Sequence, residues 1–429
     1  MRYKTLPLLA GISLATISCT DQSPVSPALA PEVRAARVTT PGTGPWARVV
    51  EGETGPGSLY ALYIPADWNG DAIYYAHGIR APLAPITLSD QDNFFEVRDA
   101  LGALGYAFAY SSFSENGLAV KDGAQRTHQL RGLLNSELPE RPERNYVTGY
   151  SLGALVALEL GERFPGQYDG VLAMCGMVGG TPRELQYVGD VRALFDYYYP
   201  GVLPGNVISA PATPLTIPEV QQRVIAAITA NPLGLYAIAS TAQTPLAFAP
   251  PNGNVGDPTS PAFQSLVGSL ITALYYQLLA TPDVLGRTHG HSPYDNRNTI
   301  YTMGALVAPA PVPSALIASM IAASNGTPVA PGVTRYDITP DAQNYVDRYY
   351  VPTGRLTIPV VSVHNFWDPL VPFFHEPALA QITAAAGASN MLLQRGVPNY
   401  GHCNFSTPLV VSSFQTLTNW VTTGVKPAA

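Results

Sequence analysis

Apolar positions along this chain of 429 residues follow two rhythms. In the first 180 or so, short β-type runs alternate with longer runs spaced for helices. Val49 to Pro65, VVEGETGPGSLYALYIP, predicts a two-stranded hairpin with Gly and Pro at its turn. Asp71 to Ala76 predicts a short buried strand, Asn93 to Leu104 a helix, Ala107 to Ser111 a strand and Val120 to Leu138 a helix. Asn145 to Thr148 alternates and is rich in β-formers. Ala154 to Leu160 is helical, with Glu159 as its only charge. Tyr168 to Met174 predicts another strand. From about Thr181 to Thr353 the chain turns Pro-rich, with apolar helical pieces such as Val220 to Ala230 and Phe263 to Ala280 and no clear strand alternation. The strand and helix order resumes at Leu356, LTIPVVSVHN, with a helix at about Pro377 to Ala386, a strand at Met391 to Gln394 and a last helix from Pro408 to Thr422.

Strands alternating with helices require right-handed crossovers, and so predict an α/β fold with a mostly parallel sheet covered on both faces. A long stretch that interrupts this order and then returns to it predicts a mainly helical cap inserted mid-chain. The expected organisation is a core in two parts, 41–180 and 354–429, with the cap at 181–353.

The first residues predict export. Arg2 and Lys4 precede LPLLAGISLATIS, an apolar run too short to span a bilayer as a mature helix, and small residues lead into Cys19. TISC resembles a bacterial lipoprotein cleavage box, with Thr16 where Leu is usual. Residues 1–19 are then a signal peptide, lipidated Cys19 is a membrane tether, and 20–40, rich in Pro, Ser and Ala, is a linker. The alternative is ordinary cleavage nearby and secretion. Phe263 to Ala280 carries polar residues along one side, which predicts a packed or lid helix rather than a span.

Composition narrows the chemistry. Apolar residues make up 46% and charged ones only 12%, which describes a globular chain with an uncharged polar surface. A net charge of −7 with no basic stripe excludes nucleic acid as the expected partner. Cys175 and Cys403 can pair in an exported protein or remain as buried thiols.

The stretch RNYVTGYSLGALVALEL places Ser151 where a strand becomes a helix. Gly149 and Gly153 flank it, as a nucleophile elbow requires. Its hydroxyl would be pushed out on a strained turn, and the Leu152 amide at the helix start would receive a developing oxyanion. His77, Gly78 and Ile79 follow an earlier strand in YYAHGIR; the Ile79 or Gly78 amide would be the second donor, with the His77 imidazole structural. His402, in VPNYGHCNFS, stands between the last strand and last helix with Gly401 before it, and Asp368 follows the preceding strand. The order Ser151, Asp368, His402 suits a nucleophile, an orienting acid and a base drawn from one sheet edge. Asp337, Asp341 and Asp347 lie before that strand rather than after it. His128 lies in a helix, His364 shares the Asp368 loop, and His375 is close behind it.

On these motifs the chain resembles an α/β-hydrolase, in particular the exported bacterial serine hydrolases with a large cap. HG, GYSLG, WDPLVP and GHC carry the match, and SSFSENG (Ser111 to Gly117) is similar to a segment of these enzymes. The resemblance spans about Val49 to Val178 and Leu356 to Thr422. It implies a cofactor-free esterase or lipase-like enzyme acting through a Ser-His-Asp triad and an acyl-enzyme. GHC is similar to the His-Cys pair of tannase-like esterases, but Tyr150 stands where that family has a cysteine, so its disulfide is not carried over.

Other readings remain open. A peptidase with the same triad is the first alternative, and a non-catalytic surface lipoprotein the second. His289 and His291 with Asp295 have metal-like spacing, but a Pro-rich loop favours solvated or locally bonded side chains, and no metal is expected. Leu194, Phe195, Tyr197, Tyr198, Tyr199, Tyr236, Phe248, Phe263, Tyr275 and Tyr276 give the cap an aromatic interior. Most are expected to form its own core, and the rest to favour an apolar or aromatic acyl group in the ester substrate.

Overall fold

The computed structural model describes residues 37–88, 93–209, 213–248, 254–304, 311–348 and 350–428. The expected signal, Cys19 and most of the linker lie outside the described residues.

A nine-stranded sheet organises the chain. The edge strand β1 (Val38–Pro41) pairs antiparallel with β2 (Trp46–Thr54), so the last residues expected in the linker already belong to the sheet. Strands β2 and β3 (Ser58–Pro65) form the expected hairpin, turning at Gly55 to Gly57. Then come β4 (Asp71–Ala76), α1 (Phe94–Ala103), β5 (Ala107–Ser111), α2 (Val120–Asn135), β6 (Arg144–Tyr150), α3 (Leu152–Arg163) and β7 (Gly170–Met174). After the helical stretch, β8 (Val360–Trp367), α10 (His375–Ala385), β9 (Leu392–Tyr400) and α11 (Thr407–Thr423) complete the core. The spatial order is β1-β2-β3-β5-β4-β6-β7-β8-β9, and from β5 to β9 every pairing is parallel.

Both faces of the central strands are covered, which is why β4, β5 and β7 are buried throughout and read as short apolar runs. In β4, Ala72, Tyr74 and Ala76 point into the core shared with α2 and α3, while Ile73 and Tyr75 point into the one shared with α1 and α11. The strand order reverses beside β4, the first strand of the parallel series, and such a reversal opens a crevice at the carboxyl ends of the strands.

Between β7 and β8 run α4 (Thr181–Tyr198), α5 (Ile217–Ala230), α6 (Pro232–Ala239), α7 (Pro261–Arg287), α8 (Ser314–Ser324) and α9 (Pro340–Arg348). This region has its own apolar core, in which Leu194, Phe195, Tyr199, Tyr236 and Tyr276 are buried. Tyr197, Tyr198, Phe248, Phe263 and Tyr275 pack on it partly buried. Helix α7 is long and apolar enough to cross a membrane by length and composition, yet one of its sides is buried against α4 and α5. Ile79 and Leu370 touch both this core and the sheet core, so the helices meet the sheet along its carboxyl edge.

Candidate active site

The turn from β6 into α3 is tight because two glycines let backbones touch. A Cβ on Gly149 would stand 2.2 Å from the Gly153 oxygen, and one on Gly153 only 2.0 Å from the oxygen of Ala76 on β4. Any side chain there would push the elbow off the sheet. Ser151, held at φ 56°, ψ −123°, lies outside the ordinary regions for an L-residue. Its N–H donates to the Met174 oxygen at 2.9 Å and its carbonyl accepts from Ala154 N at 3.0 Å, so neighbours on both sides maintain the strain. Leu152 is the first residue of α3, so its N–H has no acceptor within that helix.

The loop after β4 lies against the serine. A Cβ built on Gly78 would be 3.3 Å from Ser151 Cβ and 3.9 Å from Oγ. His77 braces this loop: Nδ1 is 2.6 Å from the Gly78 oxygen, Nε2 is 2.9 Å from the Ser112 oxygen, and the ring stacks on Phe113 at 3.8 Å. Burial, and then the neighbouring Arg80, push its pKa down to about 3, so the ring is neutral. Because the Gly78 carbonyl faces His77, the Ile79 N–H of the same trans peptide points to the opposite side. The SSFSENG segment thus supports the loop through Ser112 and Phe113.

Asp368 follows β8 directly and is fully buried. Its Oδ1 accepts N–H bonds from Leu370 and Val371, both at 2.9 Å. His402 Nδ1 stands 2.8 Å from Oδ2 and 3.1 Å from Oδ1. Gly401, at φ 121°, turns the chain out of β9 so that His402 can face back to Asp368. Cys403 is disulfide-bonded to Cys175, which follows β7 directly, with the two Cα atoms 5.2 Å apart. Both half-cystines have positive φ, 48° at Cys175 and 53° at Cys403. The bridge ties the His402 loop to the strand whose Met174 holds the Ser151 N–H. Its brace comes from β7, next to the elbow strand, and not from the residue preceding the serine.

Ser151 Oγ makes no hydrogen bond to His402 among the described residues; Cys403 Sγ lies 3.4 Å from His402 Nε2. Catalytic hydrogen bonds are often loose without substrate and tighten in the complex.

The competing residues are engaged elsewhere. Asp337 pairs with Arg297 at 2.9 Å, Asp347 accepts from Gln343, and Asp341 sits in the first turn of α9. His128 stacks on Phe164 and contacts the Tyr168 hydroxyl. Asp295 accepts from the Arg297 N–H, and no group of three His, Cys, Asp or Glu side chains that could hold a metal occurs among the described residues. His364 belongs to β8 and not to the Asp368 loop, and its side chain is fully buried. There it approaches Asp368 Oδ2 to 3.6 Å. His375, at the start of α10, accepts the Gly179 N–H at 3.1 Å and has Nε2 3.0 Å from Glu184 on α4. Sequence reasoning missed this second layer of histidines and acids because its members meet from separate elements; the one available signal was the polar run of Ser362, His364 and Asn365 within a strand expected to be buried.

Residues 76–213 match the Esterase family. No curated protein sequence matches this chain. Among solved structures, feruloyl esterase B from Aspergillus oryzae is similar at 16% identity over 89% of this chain and 81% of that one, with a TM-score of 0.46. A ligand-bound form of the rice cell wall degrading esterase LipA from Xanthomonas oryzae is similar at 13% identity over 90% and 92%, with a TM-score of 0.41. An esterase from Aspergillus oryzae gives 13% identity over 89% and 80%, with a TM-score of 0.43. The nine-stranded, mostly parallel sheet with its strained serine at a strand-to-helix turn is that of the α/β-hydrolase fold, and residues 76–213 of the chain carry the Esterase match.

Proposed function

We propose that the chain cleaves esters through an acyl-enzyme formed on Ser151. His402 takes the hydroxyl proton as Oγ attacks the acyl carbon, and Asp368 holds the imidazole with Nδ1 protonated. The N–H groups of Leu152 and Ile79, with Gly78 leaving room for the substrate, stabilise the oxyanion. His402 then protonates the leaving alcohol, and a water activated by the same imidazole frees the acid. The observation that carries this reading is the bonded Asp368–His402 pair, anchored by a disulfide to the strand that holds the strained Ser151.

The helical region between β7 and β8 acts in this reading as a cap that selects the acyl group. It contains an apolar cavity of about 670 Å³ lined by Ile228, Leu233, Tyr236, Phe263, Val267 and Ile271 among others. Gly268, on its wall, approaches the hydroxyl of Tyr400, which stands two residues before His402 and bonds to Ser265 and Ser269 of α7. Apolar walls this close to the base loop favour a medium-chain or aromatic acyl group over acetyl, by about 1 kcal/mol or more for a few buried methylenes. A disulfide also suits an exported enzyme.

The test is fluorophosphonate labelling with site mapping, followed by parallel aryl-ester and peptide-anilide assays. The label is expected on Ser151, and Ser151→Ala and His402→Ala are expected to lower turnover about a thousandfold or more. Full activity in Ser151→Ala would refute the mechanism, and preference for anilides would convert it to a peptidase. A rate profile flat with acyl size would remove the cap's role alone.

A further inference from the structure

Behind Asp368 lies a second imidazole that the ester chemistry does not use directly. His364 Nδ1 is 3.2 Å from Glu376 Oε1, and Nε2 is 2.8 Å from the Val371 oxygen. Both partners accept hydrogen bonds, as the two carbonyls at the neutral His77 do, but at His364 one of the acceptors is a carboxyl group, that of Glu376. Glu376 takes donors besides His364: Ser362 Oγ at 2.6 Å on Oε1 and Gln394 Nε2 at 2.5 Å on Oε2. That set of donors fits a carboxylate. Two buried carboxylates, Glu376 and Asp368, therefore flank one buried ring, and buried charges persist when paired.

We propose that His364 is a positioning residue for the triad: an imidazolium anchored by Glu376 that stands 3.6 Å from Asp368 Oδ2, tempers the field of that carboxylate at His402 and keeps it aimed there. The inference rests on the proposed roles of Asp368 and His402.

The other titratable groups around the pair leave this charge to His364. From α10, His375 is held well below the usual histidine range by burial, then by His364 and the exposed Arg183. It is neutral, accepting the Gly179 N–H on Nδ1 and donating from Nε2 to Glu184. From α4, burial and then Asp368 raise Glu184 well above the carboxylate range, and burial raises the Tyr187 phenol, so neither supplies a charge. From the end of β9, Tyr400 is raised as well, by burial first. His364 itself is raised above its ordinary value: burial opposes this, but Glu376 and Asp368 outweigh it.

The expected signature is electrostatic. In His364→Gln the cation nearest Asp368 is gone, so the field of Asp368 at His402 strengthens whether or not Glu376 takes up a proton. The imidazolium form of His402 gains, and the acid limb of kcat/KM, which reports the free enzyme's base, moves up by about one pH unit. The kcat falls about tenfold with little change in KM. Glu376→Gln moves the limb the same way by less. A merely structural histidine would lower thermal stability and leave the limb where it was, and that outcome in an active variant overturns the proposal. If His364→Gln does not fold, nitrogen-15 NMR of histidine-labelled wild-type protein decides. Both His364 ring nitrogens are expected to be protonated at pH 7, and a singly protonated ring would overturn the proposal. This measurement needs no turnover, so its failure is separable from failure of Ser151 to label.

Discussion

In the proposed mechanism the Cys175–Cys403 disulfide joins the fold to the catalytic loop. The two cysteines are 228 residues apart, so replacing both by serine releases a very large loop in the unfolded chain. Chain-entropy arguments put the constraint at about 5 kcal/mol. Unfolding entropy for a chain of this size is on the order of 0.9 kcal/mol/K, so the midpoint is expected to fall by about 5 °C. The site should suffer as well. Cys403 follows His402, and Cys175 follows Met174, whose oxygen holds the Ser151 N–H at 2.9 Å. The Cys175 N–H itself donates to Val363 of β8 at 2.7 Å, so this half of the bridge is fixed in the sheet and the Cys403 half is the one free to drift. With both half-cystines at positive φ, removing the bond lets the His402 loop relax away from the serine. A displacement near 1 Å costs on the order of a hundredfold in rate. The double serine variant is therefore expected to lose ten- to a hundredfold in kcat on an aryl ester with KM nearly unchanged, alongside the shift seen by scanning calorimetry. Reduced wild-type enzyme should behave alike. A variant that melts within about 1 °C of wild type and keeps full kcat would refute both parts of this reasoning.

Gly153→Ala places a methyl carbon 2.0 Å from the Ala76 oxygen and 2.7 Å from that of His77, both backbone atoms with no room to move. A loss of more than about 3 kcal/mol, seen as a lowered melting point or loss of soluble protein, is expected, and a midpoint within 2 °C of wild type, on the order of 2 kcal/mol, would contradict it. Glu159 is buried in α3 against Arg163 at 3.0 Å, and burial first of all raises its carboxyl to about 7. A raised carboxyl binds its proton more tightly folded than unfolded, so stability falls as pH rises from about 4.5 to 7. Glu159→Gln should then be more stable than wild type at pH 8 by about 2 to 3 kcal/mol, and equal to it near pH 4. Chemical denaturation at both pH values checks the sign, and a variant less stable at pH 8 would reverse it.

Periodicity determined the order of strands and helices of the sheet layer from Val49 onward, because the central strands are buried on both faces and most covering helices on one; it missed the exposed edge strand β1, which reads as linker. Gly149, Ser151 and Gly153 were legible for a similar reason: a sharp turn needs residues without side chains, and that need is local. Asp368 and His402 could be proposed from their places after the last two strands, since strand ends at one sheet edge converge whatever lies between. What the sequence left open depends on neighbours far away along the chain. Whether Cys175 meets Cys403 depends on β7 standing next to β8 and on the turn at Gly401, so pairing and free thiols read alike until the sheet closes. His364 looked like a loop residue competing for the role of base. Only the packing of β8 against α10 and β9 places Glu376 and Gln394 around His364, in the segment that already carries Ser362 and Asp368. Its charge is therefore a property of the assembled core, because an imidazole's protonation depends on the solvent it loses and the acceptors it gains, and tertiary structure supplies both.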